Sequence, residues 1–103
     1  MWCLKNGLLA VVDIDGNTIH IWNADTGELV KTLNAEAEII YVCSLSSQHF
    51  ISSQVGKPSL VWDIKKGRVV HTLQVTPPAT SFALLPNGTL ASWHFNEIKV
   101  WRL

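Results

Sequence analysis

Charge of one sign is missing from this sequence: over 103 residues, eight Lys and Arg stand against eight Asp and Glu. A balanced chain has no net electrostatic drive toward nucleic acid or an anionic membrane surface, so neither is expected as a main partner. Long apolar runs are missing too. Runs such as Leu8–Val12 fall far short of the ~18 residues of a membrane-spanning helix. The start shows no basic stretch followed by an apolar one, and nothing marks the chain for secretion. Cysteine is scarce: Cys3 and Cys43 are too few and too far apart for a zinc site or a disulfide framework. They are expected as free thiols, small and buried, which suits a reducing compartment and a cytoplasmic location. No Gly-rich phosphate loop, His-Glu-x-x-His segment or Gly-x-Ser-x-Gly elbow is present, and His20, His49, His71 and His94 are scattered as rim residues would be. No catalytic residue, metal or cofactor is therefore expected, and the chain reads as a non-enzyme. No window carries a helical period of useful length, and Pro58, Pro77, Pro78 and Pro86 punctuate loops. With 48% hydrophobic residues the chain should bury a core, and it should do so with strands.

What is present is a repeat. WNADTGELVKTL at 22–33 and WDIKKGRVVHTL at 62–73 share Trp first, Gly sixth, Val ninth and Thr-Leu last. Trp22, Trp62 and Trp101 stand 40 and 39 residues apart, a fixed period of the kind that announces a repeat architecture. Each Trp closes a short β-prone run, at 19–22, 59–62 and 98–101. About ten residues earlier lies a second run, at 8–11, 50–53 and 90–93. Asn6-Gly7 and Asn87-Gly88 occupy matching places before that second run, and Asn-Gly suits a tight reversal because both residues tolerate positive φ. Asp15-Gly16 is a further turn. After each of the first two Trp residues a polar link ends at Gly27 or Gly67, and an alternating run follows at 28–33 or 68–73. The unit is four antiparallel strands in about forty residues.

The segments DGNTIHIWNADTGELVKTL, SLVWDIKKGRVVHTL and LPNGTLASWHFNEIKVWRL resemble the WD-repeat β-propellers, and the resemblance covers nearly the whole chain. Its strong points are the Trp ending the third strand, the Gly opening the fourth, and the Asn-Gly/Leu-Ala-Ser passage into the second. Only Trp62-Asp63 is the family's Trp-Asp pair, the others being Trp22-Asn23 and Trp101-Arg102. The family's Gly-His pair is absent from 34–39 and 74–80. Ser52 and Ser92 match the Ser of its buried hydrogen-bond network, with Val12 at that place in the first copy. Asp15 is one residue off the usual position of the network's acid, and Gly56 and Asn96 replace it in the other copies. The blades are thus expected to rest on apolar packing, since a half-made buried network is costly. The resemblance makes Trp22, Trp62, Trp101, Gly27 and Gly67 structural repeat positions, with the three indoles packed between blades. Trp2 and Trp93 are expected to seal blade faces or a subunit contact. Alternatively, Trp93 forms an exposed aromatic patch with His94 and Phe95.

The copies divide the chain into a first blade at 1–33 with its innermost strand truncated, a complete second at 34–73, and a third at 74–103 without its outermost strand. Propellers close with four to eight blades. The expected fold is therefore all-β, blades of four antiparallel strands in an incomplete ring, closed by oligomerisation or by parent sequence missing here. Two copies give six blades, so a homodimer is favoured. Glu97, Lys99 and Arg102 suit a protected sheet edge as well as an ordinary solvent-facing strand. The resemblance implies a non-enzymatic protein–protein interaction scaffold that uses loops at the ring's narrower face, here 13–17, 34–38, 54–57 and 93–96. Candidate contacts are Asp15, Asn17, Glu36, Glu38, Lys57, Phe95 and Asn96. One alternative is a self-assembling fragment whose main activity is forming a homodimeric six-bladed ring. Another is a sugar-binding or enzymatic propeller.

Overall fold

The computed structural model describes residues 1–74, 81–86, 89–94 and 97–102, with Ser81 and His94 described as backbone alone. Its elements are all strands. β1 (Trp2–Cys3), β2 (Leu8–Val12), β3 (Thr18–Asn23) and β4 (Leu29–Asn34) form one antiparallel sheet in that order. β5 (Ile39–Ser44), β6 (His49–Gln54), β7 (Ser59–Asp63) and β8 (Arg68–Leu73) form a second, and β9 (Ser81–Leu84), β10 (Leu90–His94) and β11 (Glu97–Trp101) a three-stranded third. Among the described residues no helix is long and apolar enough to cross a membrane.

Turn chemistry explains where the strands reverse. Asn6 and Gly7 both take positive φ, 61° and 71°, between β1 and β2, as the dipeptide predicts. The two turns that follow Trp22 and Trp62 are built alike. Asn23 Oδ1 accepts from Asp25 N at 2.9 Å and from Thr26 N at 3.2 Å, and Asp63 Oδ1 accepts at 2.9 Å from Lys66 N, the equivalent of Thr26 N. Gly27 N and Gly67 N then donate to the carbonyls of Asn23 and Asp63 at 2.8 Å. A side-chain oxygen two atoms from the backbone is what the turn needs, and Asn and Asp both supply it. That is why Asn23 can replace the acid. A β-bulge sits at the same place in both sheets, between Ile21 and Trp22 and between Val61 and Trp62, so the outer strand is offset in the same way in each.

Side chains alternate across each strand, so every sheet has two faces to cover. Ala10, Ile19, Ile21 and Leu33 of the first sheet pack with Val42, Phe50 and Trp62 of the second. The opposite face of the second sheet, through Ile51, Val61 and Leu73, packs with Phe82 and Leu90 of the third, with Trp101 against them.

Four expectations need correction. The polar network is not replaced by apolar packing. Trp62 Nε1 donates to Ser52 Oγ at 2.8 Å, Ser52 Oγ donates in turn to Gln54 Oε1, and Gln54 Nε2 donates to the Pro58 carbonyl at 2.9 Å. Trp101 Nε1 donates to Ser92 Oγ at 2.9 Å in the third sheet. Buried polar groups persist where each has a partner, and Gln54 provides the one that the usual acid would. The residue that stands at the Ser place in the first sheet is Val11, not Val12: Val11 pairs with His20 as Ser52 pairs with Leu60 and Ser92 with Lys99. The hairpin tips differ in length, so counting back from the Trp misplaces the partner by one. Trp22 does not lie between sheets, because it faces away from the second sheet and stays partly exposed. Cys3, on that same outer face, is exposed, while Cys43 is half-buried and its thiol is pushed up by desolvation. Both thiols are free.

Candidate functional site

Three of the four predicted loops meet at one rim. Ala35 N donates to the Asn17 carbonyl and Ile39 N to the Gly16 carbonyl, both at 2.8 Å, while Val55 N donates to the Glu38 carbonyl at 2.9 Å. Loops 13–17, 34–38 and 54–57 are thereby tied into a continuous surface. Asp15 holds its own loop in shape: its carboxylate accepts from Asn17 N at 3.0 Å, Thr18 N at 3.2 Å and the Thr18 hydroxyl at 2.9 Å. Glu36 is held at φ 60° by Asn34 Oδ1, which accepts from Glu36 N at 2.7 Å. The Glu38 side chain runs alongside Gly16, 3.6 Å from where a Cβ would sit there. Lys57 is exposed on the third loop. Phe95 and Asn96 lie outside the described residues.

The rim carries charge that the neutral total conceals. Asp13, Asp15, Glu36 and Glu38 sit on the two longer loops, against Lys57, and among the described residues no Lys or Arg forms an ion pair with an acid. Lys65, Lys66 and Arg68 lie in and beside the turn at the other end of the second sheet. The rim's exposed apolar side chains are Ile14, fully exposed at the tip of its loop, and Val55. Local windows hold this signal, with two acids in 13–17 and two in 34–38, but a whole-chain sum cancels it.

Two histidines prove to be structural bridges. His20 Nε2 lies 3.1 Å from Asp13 Oδ2 and His20 Nδ1 3.2 Å from Thr32 Oγ1, joining three consecutive elements at the foot of the first rim loop. The His20 contact, with the Ile14 amide, holds the Asp13 carboxyl below the usual range. At the opposite end of the second sheet, His49 Nε2 lies 3.4 Å from Asp63 Oδ2 and His49 Nδ1 3.0 Å from Ser46 Oγ. Scattered sequence positions thus converge on a hydroxyl–imidazole–carboxylate chain beside a cavity of about 260 Å³ lined by Leu45, Val61, His71 and Leu84. Acyl transfer by such a pair would also need donors aimed at a developing oxyanion. Leu45 N and Ser46 N both donate to the His49 carbonyl, at 2.9 and 3.1 Å, and so neither faces a developing oxyanion. The group locks a turn. Among the described residues no cluster of three or more His, Cys, Asp or Glu could hold a metal ion.

Asp63 has a lowered carboxyl pKa, chiefly because Lys66 N donates to it, with His49 and Lys66 charges adding to the effect. A depressed native value means that the ionised form stabilises the fold above the unfolded value of about 4, and that this stability is lost as pH falls below it. The urea midpoint should therefore drop between pH 6 and pH 3, and Asp63→Asn should flatten that drop. Equal acid slopes in the two proteins would remove Asp63 from the account.

No family model matches the chain. It is similar to autophagy-related protein 16 of Arabidopsis thaliana, at 24% identity over 90 residues, covering 82% of this chain and 18% of that protein. Among solved structures it is similar to a chain in the crystal structure of the mitotic checkpoint complex, with a TM-score of 0.74 and 22% identity over 96% of this chain and 33% of that one. It is also similar to the computationally designed Ika4 protein, with a TM-score of 0.76 and 20% identity over 96% of this chain and 62% of that one. The chain thus spans less than two thirds of each of these three proteins, and the likeness to the solved structures is one of fold, that of antiparallel β-propeller sheets.

Proposed function

We propose that the chain is a WD-repeat-type set of propeller blades that acts as a non-enzymatic, cytoplasmic protein-interaction module and docks its partner on the rim of loops 13–17, 34–38 and 54–57. The observation that carries this reading is the cross-loop hydrogen bonding of Asn17, Gly16 and Glu38 to Ala35, Ile39 and Val55. Backbone fixed in this way presents its side chains with little ordering left to do on binding, which favours affinity. Asp15 and Asn17 shape the first loop, while Glu36, Glu38 and Lys57 are the exposed charges available for contact. Four carboxylates around Ile14 and Val55 suit a peptide segment with basic residues flanking an apolar one, because the charges steer the encounter and the apolar side chains anchor it. Phe95 and Asn96 belong to the proposed contact set by sequence position.

The test uses a synthetic peptide of alternating Lys and Leu, titrated into the chain and followed by amide NMR at 50 and 300 mM salt. Shift changes should concentrate in 13–17, 34–38 and 54–57, weaken at least several-fold at the higher salt, and disappear in Glu36→Lys/Glu38→Lys. Changes spread evenly over the chain, or unaltered by the double substitution, would overturn the assignment.

A second reading, in which the blades also assemble with themselves, is favoured by the apolar faces left open at both ends of the row of sheets.

A further inference from the structure

We propose that the groove between β4 and β8 is a second docking site, which takes an extended peptide segment whose apolar residues are followed by acidic ones, laid along the free edge of β4. The site asks for the opposite charge to the rim and stands or falls without the rim reading. Both sheets that form it are four-stranded and in place. Further blades at either end of the row would stack on the outer sheet faces and leave the groove open.

The first two sheets approach most closely at their inner strands, β1 and β5, and stand apart at their outer ones. The cavity between β4 and β8 measures about 520 Å³, inside the roughly 300–1,000 Å³ of ligand sites. Its floor is apolar: Trp62 is buried there, with Leu60 and Val69 partly exposed beside it. Strand register sets the wall. Ala35 N donates to the Asn17 carbonyl, so these two are a hydrogen-bonded pair, and by alternation Ile19↔Leu33 is another, while Thr18↔Asn34 and His20↔Thr32 are not. The N–H and C=O groups of Thr32 and Asn34 therefore point away from β3 into the groove, and among the described residues no strand lies beyond β4 to pair with them. Pro and bulges blunt such edges, but β4 has no Pro and its bulge falls before this stretch.

Charge decides the occupant. Lys31 pairs with Ile21 and so shares the face toward the second sheet, where its Nζ lies 3.7 Å from the place a Cβ on Gly67 would take. The ammonium thus reaches from β4 to the turn at the end of the groove away from the rim. Arg68 lines that end and is exposed, with Lys65 and Lys66 exposed in the same turn. Among the described residues none of these four cations forms an ion pair with an acid. Glu36 lines the end next to the rim. A strand added antiparallel to β4, the more stable pairing per residue, runs from the Glu36 end to the Lys31 end. Apolar side chains over Trp62 followed by carboxylates beside Lys31 and Arg68 complete the match. Main-chain bonds to Thr32 and Asn34 then supply affinity, and the floor and the cations supply selectivity.

The test titrates the capped peptide Thr-Val-Thr-Val-Glu-Glu into the chain and follows amide NMR shifts and amide hydrogen exchange. Shift changes should fall in 31–36, 60–62 and 67–69, and exchange of the Thr32 and Asn34 amides should slow at least several-fold while that of Leu33 is unaltered. Lys31→Glu and Arg68→Glu should each weaken binding about three-fold and together about ten-fold, with an unchanged far-UV spectrum. Lys31→Gln replaces Lys31→Glu should that variant fail to fold. The same peptide ending in Lys-Lys should prefer the doubly substituted chain to the wild type. Absence of saturable binding up to about 2 mM peptide overturns the inference. So do shift changes without slower exchange at Thr32 and Asn34, and so does equal affinity of the wild type for the two peptides. Glu36→Lys/Glu38→Lys should still bind the acidic peptide, so failure of the rim reading and failure of this one are read separately.

Discussion

Replacing Trp62 with alanine should lower the unfolding free energy by about 3–5 kcal/mol, a large part of the 5–15 kcal/mol typical of a domain. Trp62 is buried between the first two sheets, its ring stacked on Phe50 with centroids 6.2 Å apart, and its indole nitrogen donates to buried Ser52. Alanine leaves a cavity where a large ring joined two faces, and it also removes the donor to Ser52. Trp62→Phe separates the two effects. It restores most of the volume but still leaves Ser52 short of one partner, for a loss of about 1–3 kcal/mol. Urea unfolding followed by circular dichroism gives both numbers. Should Trp62→Ala cost less than about 1 kcal/mol, the second sheet would not be docked on the first through this ring. Trp22 is the internal control. Its ring is partly exposed, and Trp22→Ala should be far milder.

Gln54→Ala should be the next most damaging change to a polar side chain, at about 1–3 kcal/mol for each partner left unsatisfied. Gln54 is wholly buried, accepts from the Ser52 hydroxyl and donates to the Pro58 carbonyl. Its removal leaves Ser52 to satisfy Trp62 without an acceptor of its own, and it frees a carbonyl in the turn that leads to β7. Gln54→Glu keeps the size but places a carboxylate opposite the Pro58 carbonyl, so it should be destabilising at pH 7 and partly rescued at low pH, as the carboxyl takes up a proton. A Gln54→Leu protein as stable as the wild type would mean that the chain of bonds contributes nothing beyond filled volume.

Much of the architecture is legible in the residues. Trp22, Trp62 and Trp101 mark the ends of third strands, Gly27 and Gly67 the turns after the first two, and Asn6-Gly7 a reversal, because each of these obeys a local rule that reads directly from spacing. What escapes is whatever depends on the space between strands. Ser52, Gln54 and Trp62 form a network because β6 places Ser52 and Gln54 on one face and β7 brings the indole across to it. No linear pattern announces a Gln in the role of an acid. Val11 was hidden for a related reason, since its equivalence to Ser52 is set by pairing with His20 and not by distance from Trp22. The exposure of Cys3 depends on what covers the outer face of the first sheet. Composition alone favours burial of a thiol, and the neighbouring sheet decides. At the rim, the loops and the residues Asp15, Asn17, Glu36, Glu38 and Lys57 were expected only from the resemblance to WD-repeat propellers, while the tying of one loop to the next runs through backbone groups that no side-chain pattern announces.

The hairpin between second and third strands has five residues at its tip in the first sheet, 13–17, and four in the second, 55–58, while two residues separate β10 from β11. The equivalent cross-strand pairs beneath these tips stay aligned in all three. Insertions and deletions are absorbed at the apex without propagating into the ladder. The cross-strand ladder consequently keeps one register beneath hairpins of three different lengths, so the length of a tip is set independently of the packing of the sheet below it.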